Sequence, residues 1–165
     1  MGKWMDRYLE KLEKNRRECI AAGGKERVDI QHGLEKLTAR ERIEELVDKG
    51  TFDEMGSLVR DMRPPFDGNA RLSPADGVVM GYAEINQRPV MLFSMDFTVM
   101  SGSLGDQAAW KIADLIERAG QRGMPIIGMI DSAGERLGIK NGDTSLDGLS
   151  RIIRNFSLYS GVVPR

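Results

Sequence analysis

The feature that most constrains the fold is an almost unbroken apolar run near the middle of the 165-residue chain, Met91-Leu92-Phe93-Ser94-Met95. A strand with one solvated face alternates apolar and polar residues, so this run indicates a strand that is covered on both faces. It follows a second apolar and partly β-branched run, Gly77 to Ile85, across the polar turn Asn86-Gln87-Arg88. The sequence therefore predicts a β-hairpin inside a layered structure.

Four segments have the apolar spacing of amphipathic helices, which are the elements that cover such a sheet. The first extends from Lys3 to about Ala22, and the second begins with the capping-box pattern Thr38-Ala39-Arg40-Glu41. A third ends near Gly120, and a fourth extends from about Ser145 to Tyr159. The short apolar run Pro125 to Ile130 separates the last two and predicts a further strand. This order favours repeating β-β-α units or a related α/β layer fold.

The chain divides into three predicted segments. Residues 1–60 form a helical segment, residues 61–74 form an irregular loop rich in Pro, Gly, Asn and Arg, and residues 75–165 form the α/β part. Gly161-Val162-Val163-Pro164 has the character of a strand that the chain begins and does not finish. We therefore expect the α/β part to be incomplete, through truncation or because another chain supplies the remainder.

The composition excludes several classes of protein. A formal net charge of -1 provides no overall field for nucleic acid or for an anionic membrane. The N-terminus is charged throughout, unlike a signal peptide, and no segment has the roughly 20 apolar residues that span a bilayer. The single cysteine, Cys19, and the single histidine, His32, offer no disulfide, metal cluster or thiol catalytic pair. We expect a cytoplasmic protein without a metal ion.

Three segments, in order along the chain, carry a resemblance to a known family. They are Gln31-His32 with Lys36 to Ile43; then Ala75 to Val79 with Phe93 to Val99 and Gly102-Ser103-Leu104; and finally Pro125 to Gly128 with Asp131 to Arg136. They resemble stretches in the N-terminal part of the carboxyltransferase subunits of biotin-dependent propionyl-CoA, acetyl-CoA and methylcrotonyl-CoA carboxylases, and of related transcarboxylases and acyl-CoA decarboxylases. Three ordered matches are much more specific than one glycine-rich loop. The chain departs from the family pattern at Ala133, Glu135 and Leu137-Gly138, which leaves the acyl group and the direction of the reaction open.

The resemblance implies an α/β, ClpP/crotonase-like fold with repeated β-β-α units, incomplete here and preceded by N-terminal helices. It implies an enzyme subunit that moves a carboxyl group between biotin on a carrier protein and an acyl-CoA, through a CoA enolate. Each main-chain N–H group that holds the thioester oxygen as it gains charge is worth about 10²–10³ in rate. In this family those donors are attributed to a glycine pair that lies past residue 165. The resemblance also implies a homo-oligomer whose active sites lie between protomers, with an acyl-CoA substrate and a biotin carrier as partners.

The resemblance makes Ser132, Ala133 and Gly134 the catalytic candidates, as a wall or second arm of the site that holds the thioester. Their other interpretation is a tight turn that leaves a strand. Asp131, just before them, is expected to fix the loop by accepting backbone hydrogen bonds rather than to act as a base.

The candidates for binding CoA are Gly102, Ser103, Leu104, Arg136 and Arg40. The first three precede a helix, so their N–H groups and the helix N-terminus could receive a CoA phosphate or the pantetheine carbonyl; the alternative is an ordinary N-cap loop. Arg136 matches a family arginine and either touches a CoA phosphate or holds its loop through an ion pair. Arg40 is a candidate for the adenosine phosphates, or else a solvated partner of the glutamates on its helix.

Three functional hypotheses stay open on the sequence. The first is carboxyl transfer, in the carboxylase or the decarboxylase direction. The second is a crotonase-like hydratase or isomerase that acts without biotin, against which the segment Lys36 to Ile43 argues. The third is a non-catalytic CoA-binding or assembly fragment. We expect the 165-residue chain on its own to be inactive.

Overall fold

The structure is a computed structural model that describes residues 3–61, 73–136 and 146–165. The helices are α1 (Lys3–Ile20), α2 (Lys25–Gly33), α3 (Ala39–Leu46), α4 (Asp106–Arg122) and α5 (Leu146–Leu158); the strands are β1 (Asp53–Met55), β2 (Val78–Ile85), β3 (Arg88–Met95) and β4 (Ile126–Met129). Two short 3-10 turns, Pro74–Gly77 and Met100–Gly102, lie before β2 and before α4. Most of the loop predicted at 61–74 lies outside the described residues, as do residues 137–145 with the family departure at Leu137-Gly138.

A four-stranded sheet in the order β1-β2-β3-β4 organises these elements. β1, β2 and β3 are antiparallel neighbours, whereas β3 and β4 are parallel and are joined through α4. The predicted hairpin is confirmed, because β2 and β3 pair along their whole length. Its loop consists of Asn86 and Gln87, whose φ values of 50° and 61° give the two-residue turn that matches the twist of a hairpin, so Arg88 belongs to the strand.

Helices cover the sheet on both faces, as the apolar run of β3 predicts. Phe93 and the residues two positions to either side of it face the larger core, which α4 covers with Leu115 and its apolar neighbours. Leu92 faces the smaller core, where Ile43 of α3 packs. α5 packs against α4 in a further layer. The α/β layer arrangement is therefore confirmed, with β2-β3-α4 as a complete β-β-α unit.

The front of the chain holds two predicted helices, α1 and α3, and two elements that the sequence did not indicate. At the start of α3 the hydroxyl of Thr38 accepts from the N–H of Glu41, and the Glu41 carboxylate accepts from the N–H of Thr38 at 2.7 Å, so the predicted capping box is present. The stretch from Lys25 to Gly33 is helix α2, which was not predicted. The three-residue edge strand β1 was not predicted.

The expectation of a strand beginning at Gly161 is wrong. Residues 159–163 lie in turns, and only the carbonyl of Pro164 meets the sheet, where it accepts from the N–H of Ile126 at 3.0 Å. Within the ranges 3–61, 73–136 and 146–165, no helix is both long and apolar enough to cross a bilayer.

Candidate functional site

Two loops meet at the carboxyl ends of the parallel strands β3 and β4. We call residues 96–105 the β3–α4 loop and residues 130–136 the β4 loop. The N–H of Ala133 donates to the carbonyl of Ser101 at 3.0 Å, and the N–H of Leu104 donates to the carbonyl of Gly134 at 2.8 Å. The N–H of Arg136 returns to the carbonyl of Leu104 at 2.9 Å. The two loops thus form a short parallel pairing.

The catalytic candidates lie on the outer part of this pairing. Ala133 and Gly134 are exposed, and Ser132 is half-buried. The Ser132 hydroxyl accepts from the N–H of Gly134 at 3.0 Å, which closes a tight turn, and Gly134 has a φ of 108° that side chains rarely tolerate. The N–H of Ala133 is used in the loop pairing, whereas the N–H of Ser132 has no acceptor in the described structure. Of these three residues, Ser132 offers the free main-chain donor.

The amides of Gly102, Ser103 and Leu104 are not free. They donate to the carbonyls of Val99, Met100 and Gly134 at 2.9, 3.1 and 2.8 Å. One amide in the first turn of α4 is also occupied, because the N–H of Ala108 donates to the carboxylate of Asp76 at 2.8 Å. These amides thus hold the loop together, and this stretch builds the wall on which the β4 loop rests; a role of the helix end in binding CoA stays a prediction.

Arg136 is the centre of a buried network behind the loops. Its guanidinium contacts the carboxylates of Asp61, at 3.0 Å, and Asp76, and it also donates to the side chain and the carbonyl of Ser103 at 3.0 and 2.9 Å. The side chain is only 9% exposed. Of the two roles considered for Arg136, the contacts fit the one in which it holds the loop.

Asp131 ties the β4 loop to the front helices. Its carboxylate accepts from Lys36 at 2.8 Å, from Arg42 at 2.7 Å and from the amide of Gln31 at 3.2 Å. Burial raises the pKa of Asp131, but the hydrogen bonds from Lys36 and Gln31 and the charge of Arg42 outweigh it and hold that pKa below its usual range. The expectation that Asp131 accepts backbone hydrogen bonds is wrong, since these partners are side chains. Lys36 also lies 5.0 Å from the ring centre of Phe97 in the β3–α4 loop.

Arg40 lies apart from both loops. Its guanidinium makes a two-pronged ion pair with Glu54 of β1, at 2.7 and 2.9 Å, and reaches the carbonyl of Cys19 at the end of α1. The structure therefore does not bring Arg40 together with Gly102, Ser103 and Leu104. His32 forms an exposed pair with Glu41, at 2.9 Å, on the front helices.

Sequence reasoning did not find two buried charged residues near the loops, Asp76 and Lys111. Asp76 is fully buried, and burial raises its pKa although the charge of Arg136 lowers it. Lys111 of α4 is 5% exposed and donates to the carbonyls of Ala75 and Val78 at 2.8 and 2.5 Å. The signal available was Lys111 itself, a lysine on the apolar side of an otherwise regular amphipathic helix.

These features define a class of protein. A sheet covered on both faces, with paired loops at the ends of two parallel strands, is the crotonase-like α/β architecture of a solved transcarboxylase 12S structure with methylmalonyl-CoA and methylmalonic acid bound. The match has a TM-score of 0.86 and 38% identity, and covers 98% of this chain and 31% of that one. A single-chain, multi-domain long-chain acyl-CoA carboxylase matches with a TM-score of 0.80 and 27% identity, over 94% of this chain and 16% of that one.

The carboxyl transferase domain model matches residues 31–165, and the chain belongs to that family. It is 41% identical over 161 residues to the propionyl-CoA carboxylase beta chain of Roseobacter denitrificans, which covers 98% of this chain and 31% of the relative. It is 39% identical over 157 residues to the methylmalonyl-CoA decarboxylase subunit alpha of Propionigenium modestum, with 95% and 30% covered. The family resemblance found in the sequence is confirmed, and the chain spans about three tenths of the length of these relatives.

Proposed function

We propose that the polypeptide carrying this sequence is a carboxyltransferase subunit that moves a carboxyl group between biotin on a carrier protein and an acyl-CoA. The observation that carries the proposal is the meeting of three separate segments at one place. Lys36 and Arg42 of the front segment bind Asp131, and Ser101 and Leu104 of the middle segment pair with the β4 loop. Residues far apart in the sequence thus converge on the loop that bears the catalytic candidates.

In this proposal the β4 loop forms a wall of the thioester site, and Ser132 contributes a main-chain donor to it. Loss of one donor of this kind costs about 10²–10³ in rate. Lys36 and Arg42 place positive charge beside the loop, where the phosphates of CoA are an anionic match. Arg136 acts behind the wall.

The assembly and location are part of the same proposal. The transcarboxylase 12S structure is described as a hexamer assembly, and relatives from Mycobacterium tuberculosis are named as biotin-dependent carboxylase subunits. We propose that the present protein likewise forms a homo-oligomer, works with a biotinylated carrier and resides in the cytoplasm. The resemblance to a methylmalonyl-CoA decarboxylase subunit, at 39% identity, favours the decarboxylase direction as the second candidate.

Carboxyl exchange between free biotin and a carboxylated acyl-CoA, measured with the natural polypeptide, tests the activity. We expect biotin-dependent loss of the carboxyl group, in contrast to a hydratase or isomerase, which would leave it in place. Gly134→Ala should lower kcat by about tenfold or more because its φ of 108° disfavours a side chain. Gly161→Ala is the matched control, since its φ is 77° and it too has open space around it, but it lies outside the loops. Equal activity of the two variants would remove the β4 loop from the proposed site.

A non-catalytic CoA-binding fragment is the alternative of another class, and the three-tenths coverage of the relatives favours it for the 165-residue chain by itself. Titration of CoA into this chain, followed by calorimetry, is expected to give binding without turnover. No heat of binding at millimolar CoA would remove both the ligand site and this alternative.

A further inference from the structure

Two turns near the site have left-handed backbone, one directly before β2 and one inside the β3–α4 loop. Ala75, Asp76 and Gly77 have φ values of 51°, 49° and 72°. A second run of three, from Met100 to Gly102, has φ values of 49°, 56° and 61°. Non-glycine residues adopt this conformation at a cost of roughly 1–2 kcal/mol each, so consecutive examples persist only where their surroundings hold them.

The first turn is held by helix α4 and by the β3–α4 loop. Lys111, buried in α4, donates to the carbonyls of Ala75 and Val78 on either side of the turn. The carbonyl of Gly77 accepts from the N–H of Asp96 at 2.8 Å, in the β3–α4 loop. Asp76 lies inside this turn. Lys111 of α4 and Asp96 of the β3–α4 loop therefore fix its position.

The turn presents the carboxylate of Asp76 to two groups that face each other. One oxygen accepts from the N–H of Ala108 in the first turn of α4, and the other pairs with the guanidinium of Arg136. A side chain at Gly105 would overlap both Asp76 and Arg136, so this position leaves room for the pair. The helix start has no local side-chain cap, because its N-cap residue is Gly105, and the carboxylate of Asp76 takes that place.

Arg136, the second partner of Asp76, explains why a carboxylate from a distant part of the sequence caps α4. Arg136 belongs to the β4 loop and binds Ser103 of the β3–α4 loop by two hydrogen bonds. An ion pair from Asp76 to Arg136 therefore fixes the β4 loop to the start of α4 and to the opposite loop at once. A local cap at Gly105 would satisfy the helix without fixing either loop.

We propose that Asp76 is a positioning residue, which acts through Arg136 to set where Ser132, Ala133 and Gly134 lie. The proposal rests on the proposed function for its catalytic consequence, but its structural part is independent of it. Displacement of a catalytic group by about 1 Å can cost about 10²-fold in rate.

The test compares Asp76→Asn with Asp114→Asn in the natural polypeptide. Asn at position 76 keeps an oxygen for the N–H of Ala108 and loses the charge that pairs with Arg136. Asp114 lies on α4, the helix whose first turn Asp76 contacts, in an exposed ion pair with Arg118, so its variant controls for the loss of one carboxylate. We expect kcat of carboxyl exchange to fall about tenfold or more in Asp76→Asn, with KM for the acyl-CoA changed by less than about threefold, and no change in Asp114→Asn.

Hydrogen exchange supplies a readout that does not depend on activity. The amides of Ala133, Leu104 and Arg136 report the loop pairing, and they should exchange about tenfold faster in Asp76→Asn while the amides of α4 beyond its first turn do not change. Arg136→Lys should reproduce this effect, and the double variant should be no worse than either single one. Loop exchange and kcat equal to those of Asp114→Asn would overturn the proposal.

The outcomes separate the two proposals. If the wild-type protein transfers no carboxyl group, the proposed function fails, and the exchange of the three amides still decides whether Asp76 positions the loop. If Asp76→Asn does not fold, Arg136→Lys carries the same comparison: unchanged loop exchange in that variant would likewise overturn the positioning role.

Discussion

Lys111 is the residue whose surroundings differ most from those its chemistry prefers. Its ammonium group lies inside the protein, 5% exposed, between α4 and the left-handed turn at Asp76. Burial lowers its pKa from the ordinary 10.5 to about 8, although the negative charges of Glu54 and Asp76 oppose the shift. Lys111 is a second donor to the carbonyl of Ala75, which also accepts from the N–H of Val78, and it donates to the carbonyl of Val78. The lysine therefore stabilises the turn while its own buried charge is costly.

This conflict predicts an alkaline rise in stability. The folded-state pKa of about 8 lies below the unfolded value of 10.5, so between these pH values the unfolded chain binds more protons and the free energy of unfolding rises with pH. The full effect is about 3 kcal/mol. Urea unfolding of the wild type and of Lys111→Met is measured from pH 7 to 10.5. Over this range the free energy of unfolding of the wild type should rise relative to that of the variant by about 3 kcal/mol. Because all other titrating groups are shared, parallel curves would contradict the pKa shift.

At the residue scale the sequence could identify the loop but not its support. Ser132, Ala133 and Gly134 follow a predicted strand in a family motif, and they do lie where two loops meet. Asp76 also stands in a family motif, yet nothing local marks its role, because its partners lie 32 and 60 positions away in the chain. Of the predicted donors, only Leu104 is occupied by a tertiary contact, with the carbonyl of Gly134; the amides of Gly102 and Ser103 donate within their own turn, to Val99 and Met100.

Among the secondary-structure elements, the connection between α1 and α2 is a second link between the front of the chain and the site, besides the ion pairs of Asp131. The N–H of Gly23 donates to the hydroxyl of Thr98 at 3.0 Å, and that hydroxyl in turn donates to Asp96 at 2.6 Å. A β-carbon at Gly23 would overlap the carbonyl oxygen of Thr98. The connection can sit this close to the β3–α4 loop only because position 23 has no side chain.

We therefore expect Gly23→Ala to lower the free energy of unfolding by about 1–3 kcal/mol, as overpacking against a backbone does. Gly33→Ala is the matched control, because Gly33 ends helix α2 with open space around it, and alanine there should change stability by less than about 0.5 kcal/mol or raise it. Denaturant unfolding of both variants measures the difference. Equal stability of the two variants would show that the contact with Thr98 relaxes without cost.

Elements with a clear apolar pattern were predictable, and the two that were missed lack one. Helix α2 has only Val28 and Ile30 as large apolar residues, two positions apart, and the residue it buries is Gln31. Its helical state depends on the hydrogen bond from Gln31 to Asp131 and on packing rather than on amphipathic spacing. Strand β1 is three residues long and carries two acids, so its sheet partner β2 determines it.

For the whole molecule, one strand links two cores. β3 contributes Phe93 to the core beneath α4 and Leu92 to the core beneath α3, and the polar loops after β3 and β4 join the same two layers. The sequence predicted this double coverage from five consecutive residues, because a strand buried on both faces has a nearly continuous apolar run instead of an alternating one. It could not predict how the layers are tied together at the site, since that depends on ion pairs such as Lys36 and Arg42 with Asp131.

Sharing of β3 predicts that both layers unfold together. Leu92 and Leu115 are each 0% exposed, one in each core, and replacement of either by alanine should cost about 2–5 kcal/mol. Leu158→Ala is the control, since Leu158 is 56% exposed, and its effect should stay within about 0.5 kcal/mol. In a Trp4→Phe background, the fluorescence of Trp110 reports α4 alone, while circular dichroism reports all helices. Coincident transitions by the two probes in every variant indicate one cooperative unit. A Leu92→Ala protein that melts early by circular dichroism and late by Trp110 fluorescence would instead show that the α3 layer unfolds separately.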